Sequence, residues 1–188
     1  MKFDVFIIGV GGQGIGMLSE LLMRAIDYSG QRCVGVDTHG LAQRGGVVSS
    51  HIRIGEAFSP MVVPGEVDLV LALERHEAAR GINFLKKGGT LVYYDTSWQP
   101  LPVRLGKEKE ISNEEIERFS LENDVKVYRI RYKLPDVRMQ NMALLANVVK
   151  NKLIPSLNFN HCLKAMEDLM TGDILKINQE FFLKTVNE

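Results

Sequence analysis

The chain alternates between short apolar runs and longer stretches in which apolar residues recur every three or four positions. The short runs are rich in β-branched and aromatic residues, and they predict strands at 3–8, 32–37, 47–54, 68–73, 90–94 and 125–130. The helical stripes predict a first helix after residue 14 and further helices at 75–86, 113–123, 139–151, 161–171 and 174–186. This alternation is typical of an α/β protein, so we expect a three-layer, Rossmann-like sheet, mostly parallel, with a helical C-terminal end.

The connection between the second and third predicted strands is short. It comprises about nine residues, whereas a parallel crossover usually needs a dozen or more. The third strand is therefore expected to run antiparallel or to pair at an edge of the sheet, with a loop in place of the usual helix. Within this strand His51 alternates with Ser49 and Arg53, and we expect that face to be exposed or to contact a partner protein.

Composition places the chain among ordinary globular proteins. Of its 188 residues, 45% are hydrophobic and 24% are charged, which fits a single domain spanning residues 1–188. Lysine plus arginine equals aspartate plus glutamate at 23 each, and this balance argues against a general binder of nucleic acids or anionic membranes. No apolar stretch has membrane-spanning length, no signal peptide is visible, and two distant cysteines suit a reducing cytosol, so we expect a cytoplasmic protein.

A glycine-rich loop follows the first predicted strand and precedes the first helix. In this position Gly9 permits a tight turn, Gly11 lets a ligand approach the backbone, and Gly14 lets helix and strand pack closely. The free N–H groups and the positive dipole end at the start of the helix favour an anion such as a phosphate. The predicted anion site comprises Gly9, Gly11, Gly12, Gln13 and Gly14.

Two other interpretations of this first loop stay open. The glycines are also typical of a close strand-to-helix turn that binds nothing. Asp37 ends the second predicted strand, near the place of the ribose-binding acid in a dinucleotide fold, so a free-standing NAD(P)-binding oxidoreductase is an alternative. The short connection before the third strand departs from that fold and weighs against this alternative.

A second loop, after the second predicted strand, carries a denser set of ligand-binding side chains. The planar guanidinium of Arg44 suits a carboxylate or a phosphate, and the glycines let the backbone adopt conformations that are closed to other residues. The alternative is a simple turn in which Arg44 pairs with a nearby acid. The residues predicted to contact the substrate or a partner subunit are Thr38, His39, Gly40, Gln43, Arg44, Gly45 and Gly46.

Together the two loops resemble those of a known family. GVGGQG at 9–14 and HGLAQRGG at 39–46 are similar to the loops of the gamma-type subunits of 2-oxoacid:ferredoxin oxidoreductases. Within that family the second loop is most similar to that of the beta subunit of indolepyruvate ferredoxin oxidoreductase. The resemblance continues at 47–55, 67–74 and 84–95, and it covers roughly residues 3–150.

The resemblance implies a role within a multi-subunit enzyme. Such enzymes decarboxylate a 2-oxoacid such as pyruvate or indolepyruvate on thiamine diphosphate, pass electrons through iron–sulfur clusters to ferredoxin, and transfer the acyl group to coenzyme A. They are typical of anaerobic metabolism. Because a cluster needs about four thiolates and this chain has two cysteines, the clusters are expected in a larger partner subunit. No Gly-Asp-Gly stretch resembling a thiamine diphosphate and magnesium site is visible, so the resemblance places those cofactors in the partner as well. No residues here show metal-ligand spacing.

The isolated chain is accordingly expected to be catalytically silent. The resemblance implies that it completes an active site carried by another chain, and it leaves open whether the first loop binds coenzyme A or only packs. A purely structural assembly subunit, whose loops bind no small molecule, is a further alternative. A homodimer of the isolated chain also stays open, through a surface that the partner would normally cover.

Overall fold

A computed structural model describes residues 2–39 and 46–188, with His39 represented by its backbone. Its centre is a six-stranded sheet in the order β2-β3-β1-β4-β5-β6. Each strand overlaps one that the hydrophobic pattern predicts. The strands are β1 (Phe3–Val10), β2 (Cys33–His39), β3 (Val47–Ile54), β4 (Val67–Ala72), β5 (Leu85–Tyr94) and β6 (Lys126–Ile130).

The strand directions confirm the predicted sheet. β1, β4, β5 and β6 form consecutive parallel pairs, whereas β3 pairs antiparallel with both β1 and β2. The third strand is thus antiparallel, and it lies inside the sheet rather than at its edge. This arrangement is possible because an antiparallel partner needs only a short turn, and seven residues separate β2 from β3.

Helices cover both faces of the sheet and give the predicted three layers. They are α1 (Ile15–Tyr28), α2 (Arg75–Ile82), α3 (Leu101–Arg104), α4 (Asn113–Glu122), α5 (Gln140–Lys150), α6 (Phe159–Leu169) and α7 (Gly172–Asn187). Alternate residues of β1 point to opposite faces, with Val5 and Ile7 in one buried cluster and Phe6 and Ile8 in the other. Helices α1, α5, α6 and α7 contribute to the first cluster, and α2 and α4 to the second.

The boundary between α2 and β5 differs from its prediction. The helix ends at Ile82, four residues before the predicted end, and β5 begins at Leu85 instead of residue 90. Residues 86–89 are lysines and glycines, so the hydrophobic pattern does not indicate that the strand begins before them. The ladder between β4 and β5 is also irregular at this end.

Two features of the helical elements were not predicted. α6 begins at Phe159, two residues early, because the Asn158 side chain accepts the N–H of His161 at 3.2 Å and so caps the helix. The short helix α3 was not predicted at all. It contains Pro102, which the first turn of a helix accommodates because the N–H groups there have no intrahelical partner.

The path of the chain places a crevice at the carboxyl ends of the central strands. β1 and β4 are parallel neighbours, but α1 follows β1 onto one face and α2 follows β4 onto the other. In open α/β sheets such a point, outside the carboxyl ends of the strands, is where ligands bind. Within residues 2–39 and 46–188, no helix combines the length and the apolar character needed to cross a membrane.

Candidate functional site

The two predicted loops meet at the carboxyl end of β1. The N–H of Gly11 donates to the carbonyl oxygen of Gly46 at 2.9 Å, so the first loop is joined directly to the end of the second. The sheet register causes this contact, because Val10, the last residue of β1, pairs with Val47, the first residue of β3. The inserted antiparallel strand therefore brings together loops that are separated by 23 residues along the chain, from 15 to 37.

The first loop is closed by its own glutamine. The Oε1 atom of Gln13 accepts the N–H of Val10 at 2.7 Å, and the Gln13 N–H donates to the Val10 carbonyl at 3.1 Å. A β-carbon on Gly9 would lie 2.8 Å from the same Oε1 atom, so Gly9 leaves room for this closure. Gln13 therefore uses its carbonyl oxygen to shape the loop.

The start of α1 offers backbone donors to this loop. Gly14 precedes the helix with φ of 81°, and no side chain caps the helix there. The first N–H groups of an α-helix lack intrahelical partners and carry the positive end of the dipole. Gly12 has φ of 103°, and a β-carbon there would meet nothing within 4 Å, so the space above the loop is open. The arrangement suits a small anion.

Asn141, the second residue of α5, completes the wall of this site. It exposes only 8% of its surface, and its Oδ1 accepts the N–H of Met142 at 2.8 Å. Its Nδ2 lies 2.8 Å from the point that a β-carbon on Gly14 would occupy. Within the described residues Nδ2 has no hydrogen-bond acceptor, so a second type of donor stands beside the helix start.

The described part of the second loop comprises its two ends. The hydroxyl of Thr38 pairs with that of Ser49 at 2.6 Å, and the backbone of His39 ends β2 opposite Val48. Gly46 lies at the other end and accepts from the first loop. The predicted site residues Gly40, Gln43, Arg44 and Gly45 lie outside the described residues.

The carboxylate of Asp37, the candidate ribose-binding acid, is hydrogen-bonded within the sheet. It accepts the hydroxyl of Ser50, and its Oδ2 lies 3.6 Å from where a β-carbon on Gly16 would be. In a dinucleotide fold the second strand adjoins the first, whereas here β3 separates β1 from β2. The strand order therefore counts against a dinucleotide-binding role.

A crevice of about 330 Å³ opens beside the loops on the α2 face of the sheet. Arg80 bonds there to the buried carboxyl of Glu77. Burial raises the pKa of Glu77 to about 7, the charge of Arg80 opposes this shift, and the nearby Glu74 adds to it. The walls of the crevice include Val10, Gly46, Glu77, Arg80, Trp98 and Arg104.

Glu74 has a structural role behind this crevice. Its carboxylate is fully buried at the start of α2, where it accepts the N–H groups of His76 at 3.0 Å and Glu77 at 2.6 Å. It also accepts the N–H of Trp98 at 3.2 Å. These internal bonds use the side chain to cap α2 and to hold the chain after β5.

The expectation that the His51 face of β3 is exposed or contacts a partner is wrong for His51 itself. The His51 side chain is buried against Phe6, and its Nδ1 accepts the N–H of Val62 at 3.3 Å. Burial lowers the pKa of His51, against the opposing charge of Asp37. The segment after β3 folds back over this face because Arg53 donates to the carbonyls of Ser59 and Met61.

Sequence reasoning missed two residues at this edge of the sheet. Asn141 lies within the helix predicted at 139–151 but had no predicted role, and Trp98 was not singled out. Neither lies in a loop motif, since one comes from α5 and the other from the chain after β5. The single tryptophan of the chain, in a stretch of prolines and polar residues, was the available signal. Across the described ranges, no three His, Cys, Asp or Glu side chains group as a metal site would require.

Comparison with known proteins identifies the family. A family model described as pyruvate ferredoxin/flavodoxin oxidoreductase matches residues 4–188. The chain belongs to this family. The resemblance of the two loops is thereby confirmed.

Among curated members of the pyruvate ferredoxin/flavodoxin oxidoreductase family, the chain is similar to indolepyruvate oxidoreductase subunit IorB of Archaeoglobus fulgidus. The two are 43% identical over 96 residues, which cover 51% of this chain and 47% of that protein. The match thus spans about half the length of this curated relative.

Solved structures of the family show the same fold. The gamma subunit of a keto/oxoacid ferredoxin oxidoreductase from Geobacter sulfurreducens has a TM-score of 0.69 at 18% identity, covering 98% of this chain and 96% of that one. A 2-oxoglutarate:ferredoxin oxidoreductase from Magnetococcus marinus, solved with 2-oxoglutarate, coenzyme A and succinyl-CoA, has a TM-score of 0.70 at 17% identity. That alignment covers 98% of this chain and 30% of the other, so the fold recurs as part of a longer chain.

Proposed function

We propose that residues 1–188 form one gamma-type domain of a cytoplasmic 2-oxoacid:ferredoxin oxidoreductase. The enzyme decarboxylates indolepyruvate or a related 2-oxoacid oxidatively to an acyl-CoA, and this chain has no activity alone. Family membership over nearly the whole chain supports the proposal, as does the likeness to a subunit named for indolepyruvate. The observation that carries it is the contact between Gly11 and Gly46, which makes one surface of the two loops that mark the resemblance.

The larger partner subunit carries thiamine diphosphate, magnesium and the iron–sulfur clusters, and it passes electrons to ferredoxin. The two cysteines of this chain support that division, because they fall short of one cluster. Cys162 is buried in the core, and burial raises its pKa to about 12, which disfavours the thiolate that a metal requires.

The second loop faces the thiamine-bearing subunit and helps to shape the substrate entrance. Its residues in this role are Thr38, His39, Gly40, Gln43, Arg44, Gly45 and Gly46. The position of Gly46 at the carboxyl edge of the sheet supports this role, as does the fork of donors that an arginine offers to a 2-oxoacid carboxylate.

The first loop binds a phosphate of coenzyme A. Gly9, Gly11, Gly12, Gln13 and Gly14 supply the cradle, and three features of the described residues fit a phosphate there. The start of α1 is uncapped, the space above Gly12 is open, and Asn141 offers Nδ2. A groove of about 470 Å³, lined partly by Met17, Asn141 and Ile174, adjoins the loop and has room for an apolar arm of the ligand.

The subunit role is tested by purifying the tagged chain from its native cells and measuring bound thiamine diphosphate, iron and 2-oxoacid oxidation. Stoichiometric recovery of a thiamine- and cluster-bearing subunit is the expected result. Recovery of the chain alone under conditions that keep such complexes intact would overturn the proposal. Arg44→Ala is expected to lower the activity of the assembled complex, while Arg118→Ala, an exposed helix position, serves as the control.

Coenzyme A binding is tested separately by titrating the purified complex with coenzyme A and with dephospho-coenzyme A. Asn141→Ala is expected to weaken binding by about tenfold, the effect of losing one hydrogen bond to a charged group. An unchanged affinity in a variant that assembles normally would assign the first loop to packing. If loop variants weaken assembly but leave the rate of the assembled complex intact, the structural alternative is favoured.

A further inference from the structure

The chain between β5 and α4 presents an exposed apolar surface. We call residues 95–112 the strap, and Trp98, Leu101 and Leu105 the strap patch. These three large side chains are 57%, 64% and 59% exposed, within eight consecutive residues. Leu101 and Leu105 lie four positions apart across α3, so they share one side of that turn. Large exposed apolar clusters on a globular protein mark interaction sites.

The buried Glu74 and several partly exposed polar groups fix the strap in place. The carboxylate of Glu74 accepts the Trp98 N–H at 3.2 Å, below the exposed indole. The guanidinium of Arg75 bridges Asp95 at 3.4 Å and Glu110 at 3.3 Å, near the two ends of the strap. Gln99 also donates to Glu110 at 2.9 Å. The patch is thus held outward by contacts made before any partner arrives, which lowers the entropic cost of binding.

The charges around the patch select an acidic partner. Arg104, Lys107 and Lys109 form no ion pair with other residues that the structure describes, and Glu108 is the carboxylate among them. Asp95 and Glu110, the other two acids of the strap, pair with Arg75, so the strap charges without an ion pair to a described residue are three cations and one anion. Tryptophan and arginine, which Trp98 and Arg104 supply here, are enriched at the energetic centres of protein interfaces. Apolar residues flanked by carboxylates complement this composition.

The patch is continuous with the site described above. Trp98, Leu101 and Arg104 form one wall of the crevice whose other walls are Val10 and Gly46, where the two loops meet. A protein that covers the crevice from the strap side therefore also reaches the second loop. The patch and the loops lie on one side of the molecule, at the carboxyl edge of the sheet.

We propose that the strap patch is the docking surface for a segment of the thiamine diphosphate-bearing subunit that presents apolar side chains flanked by carboxylates. This inference rests on the proposed function. Trp98 and the two leucines supply the buried centre of the contact, and Arg104 and Lys107 supply its charged rim. The partner seated there closes the crevice and brings its own site against the second loop.

The test uses the tagged full chain expressed in its native cells, with variants at the patch and at matched exposed positions elsewhere. The patch variant is Leu101→Ser with Leu105→Ser. The control is Leu121→Ser with Phe58→Ser, since Leu121 is 82% exposed and Phe58 is fully exposed, and both lie outside the patch and the proposed ligand groove. The readout is thiamine diphosphate and iron recovered per tagged chain, and the melting temperature of each isolated variant verifies folding.

The patch variant is expected to lower recovered thiamine diphosphate and iron at least tenfold, while the control retains the wild-type ratio. Arg104→Glu is expected to reduce recovery, with a larger loss at low than at high salt, because screening weakens the new repulsion. Equal recovery with the patch variant and the wild type would overturn the docking surface alone. Loss of thiamine diphosphate and iron from the wild type itself would instead overturn the proposed function.

A second copy of this chain is the other possible occupant, and light scattering of the isolated chain distinguishes it. If the wild type is a dimer that the patch variant converts to a monomer, without a change in recovered thiamine diphosphate, the surface joins two copies and the proposal fails. The expected result is that both isolated proteins have the same mass and differ only in assembly with the larger subunit.

Discussion

Asn141 stands against Gly14, with its Nδ2 2.8 Å from the point that a β-carbon on the glycine would occupy. This relationship joins the loop after β1 to a helix that begins 126 residues later, at Gln140. Gly14 thus meets two demands, a left-handed φ of 81° and the close approach of a buried amide. Gly14 and the side-chain amide of Asn141 form one wall of the proposed phosphate site.

Gly14→Ala is expected to destabilise the fold more than Gly30→Ala. The φ values of the two glycines are similar, 81° and 78°, so each substitution carries a left-handed strain of about 1–2 kcal/mol. At Gly30 the added methyl group would meet open space, whereas at Gly14 it displaces Asn141. We expect Gly14→Ala to lower the free energy of unfolding by roughly 1 kcal/mol more than Gly30→Ala does, as measured by urea unfolding.

The contact with Asn141 is isolated by repeating Gly14→Ala in an Asn141→Ala background. The additional loss should then disappear, leaving a cost similar to that of Gly30→Ala. An unchanged additional loss would mean that groups other than Asn141 restrict this position.

Glu77→Gln is expected to alter how stability depends on pH. The pKa of Glu77 is about 7 in the folded protein, above its ordinary value of 4.5, because burial disfavours the charge. The stability that this group contributes is therefore fully present below pH 4.5 and is lost as the pH rises through about 7. The amide of the variant stays neutral. Between pH 5 and pH 8 the unfolding free energy of the variant should therefore rise by on the order of 2 kcal/mol relative to that of the wild type.

The measurement for Glu77 is the difference in unfolding free energy between variant and wild type, determined by urea titration at several pH values. Other titrating groups cancel in that difference. A difference that stays constant from pH 5 to pH 8 would show that Glu77 titrates at its ordinary pKa.

Arg53→Gln is expected to destabilise the protein by about 2–3 kcal/mol, since it leaves a buried carboxylate poorly paired. Arg53 bonds to the buried Asp4 at 3.1 Å and also donates to the carbonyl of Ser59. Arg118→Gln is the matched control because Arg118 pairs with Glu122 on an exposed helix surface, where such pairs contribute about 0.5 kcal/mol or less. Equal losses of stability in thermal unfolding would indicate that Lys2, which lies 3.4 Å from the other carboxylate oxygen of Asp4, is a sufficient partner for Asp4 by itself.

Glu74→Gln is expected to release the strap, and Trp98 reports on it as the single tryptophan of the chain. The amide keeps one acceptor oxygen where the carboxylate uses two, so it cannot serve α2 and the Trp98 N–H equally well. We expect the tryptophan emission to shift and the quenching of that emission by iodide or acrylamide to increase. Asp136→Asn serves as the control. Asp136 is a partly exposed residue outside the strap that accepts the N–H of Arg138, and its substitution should change neither the emission nor the quenching.

The hydrophobic pattern predicted the sheet well because its central strands are buried on both faces. β1 reads as an almost unbroken apolar run, and seven of its eight residues are buried. The direction of β3 also followed from the sequence, since a connection of about nine residues is too short for a parallel crossover. Its place between β1 and β2 did not follow, because the length of a connection limits direction and not lateral order.

The candidate site was only partly predictable. Both loops stand out because glycines and polar side chains follow apolar runs, and family membership supports the pair. Asn141 and Trp98 come from distant parts of the chain, and only tertiary packing brings them to the sheet edge. The His51 expectation was wrong because strand alternation identifies a face but not what covers it, and here the chain after β3 does so.

The hairpin of β2 and β3 should allow the segment between the two strands to be exchanged for that of a relative. Its ladder runs up to the pair of His39 and Val48, so the strands on either side of the segment at 40–45 are joined to each other within the sheet. Doubling the length of such a connection adds only about 0.6 kcal/mol of closure entropy. A chimaera carrying a relative's segment should therefore keep its scaffold, so evolution can vary the residues of this segment without redesigning the sheet.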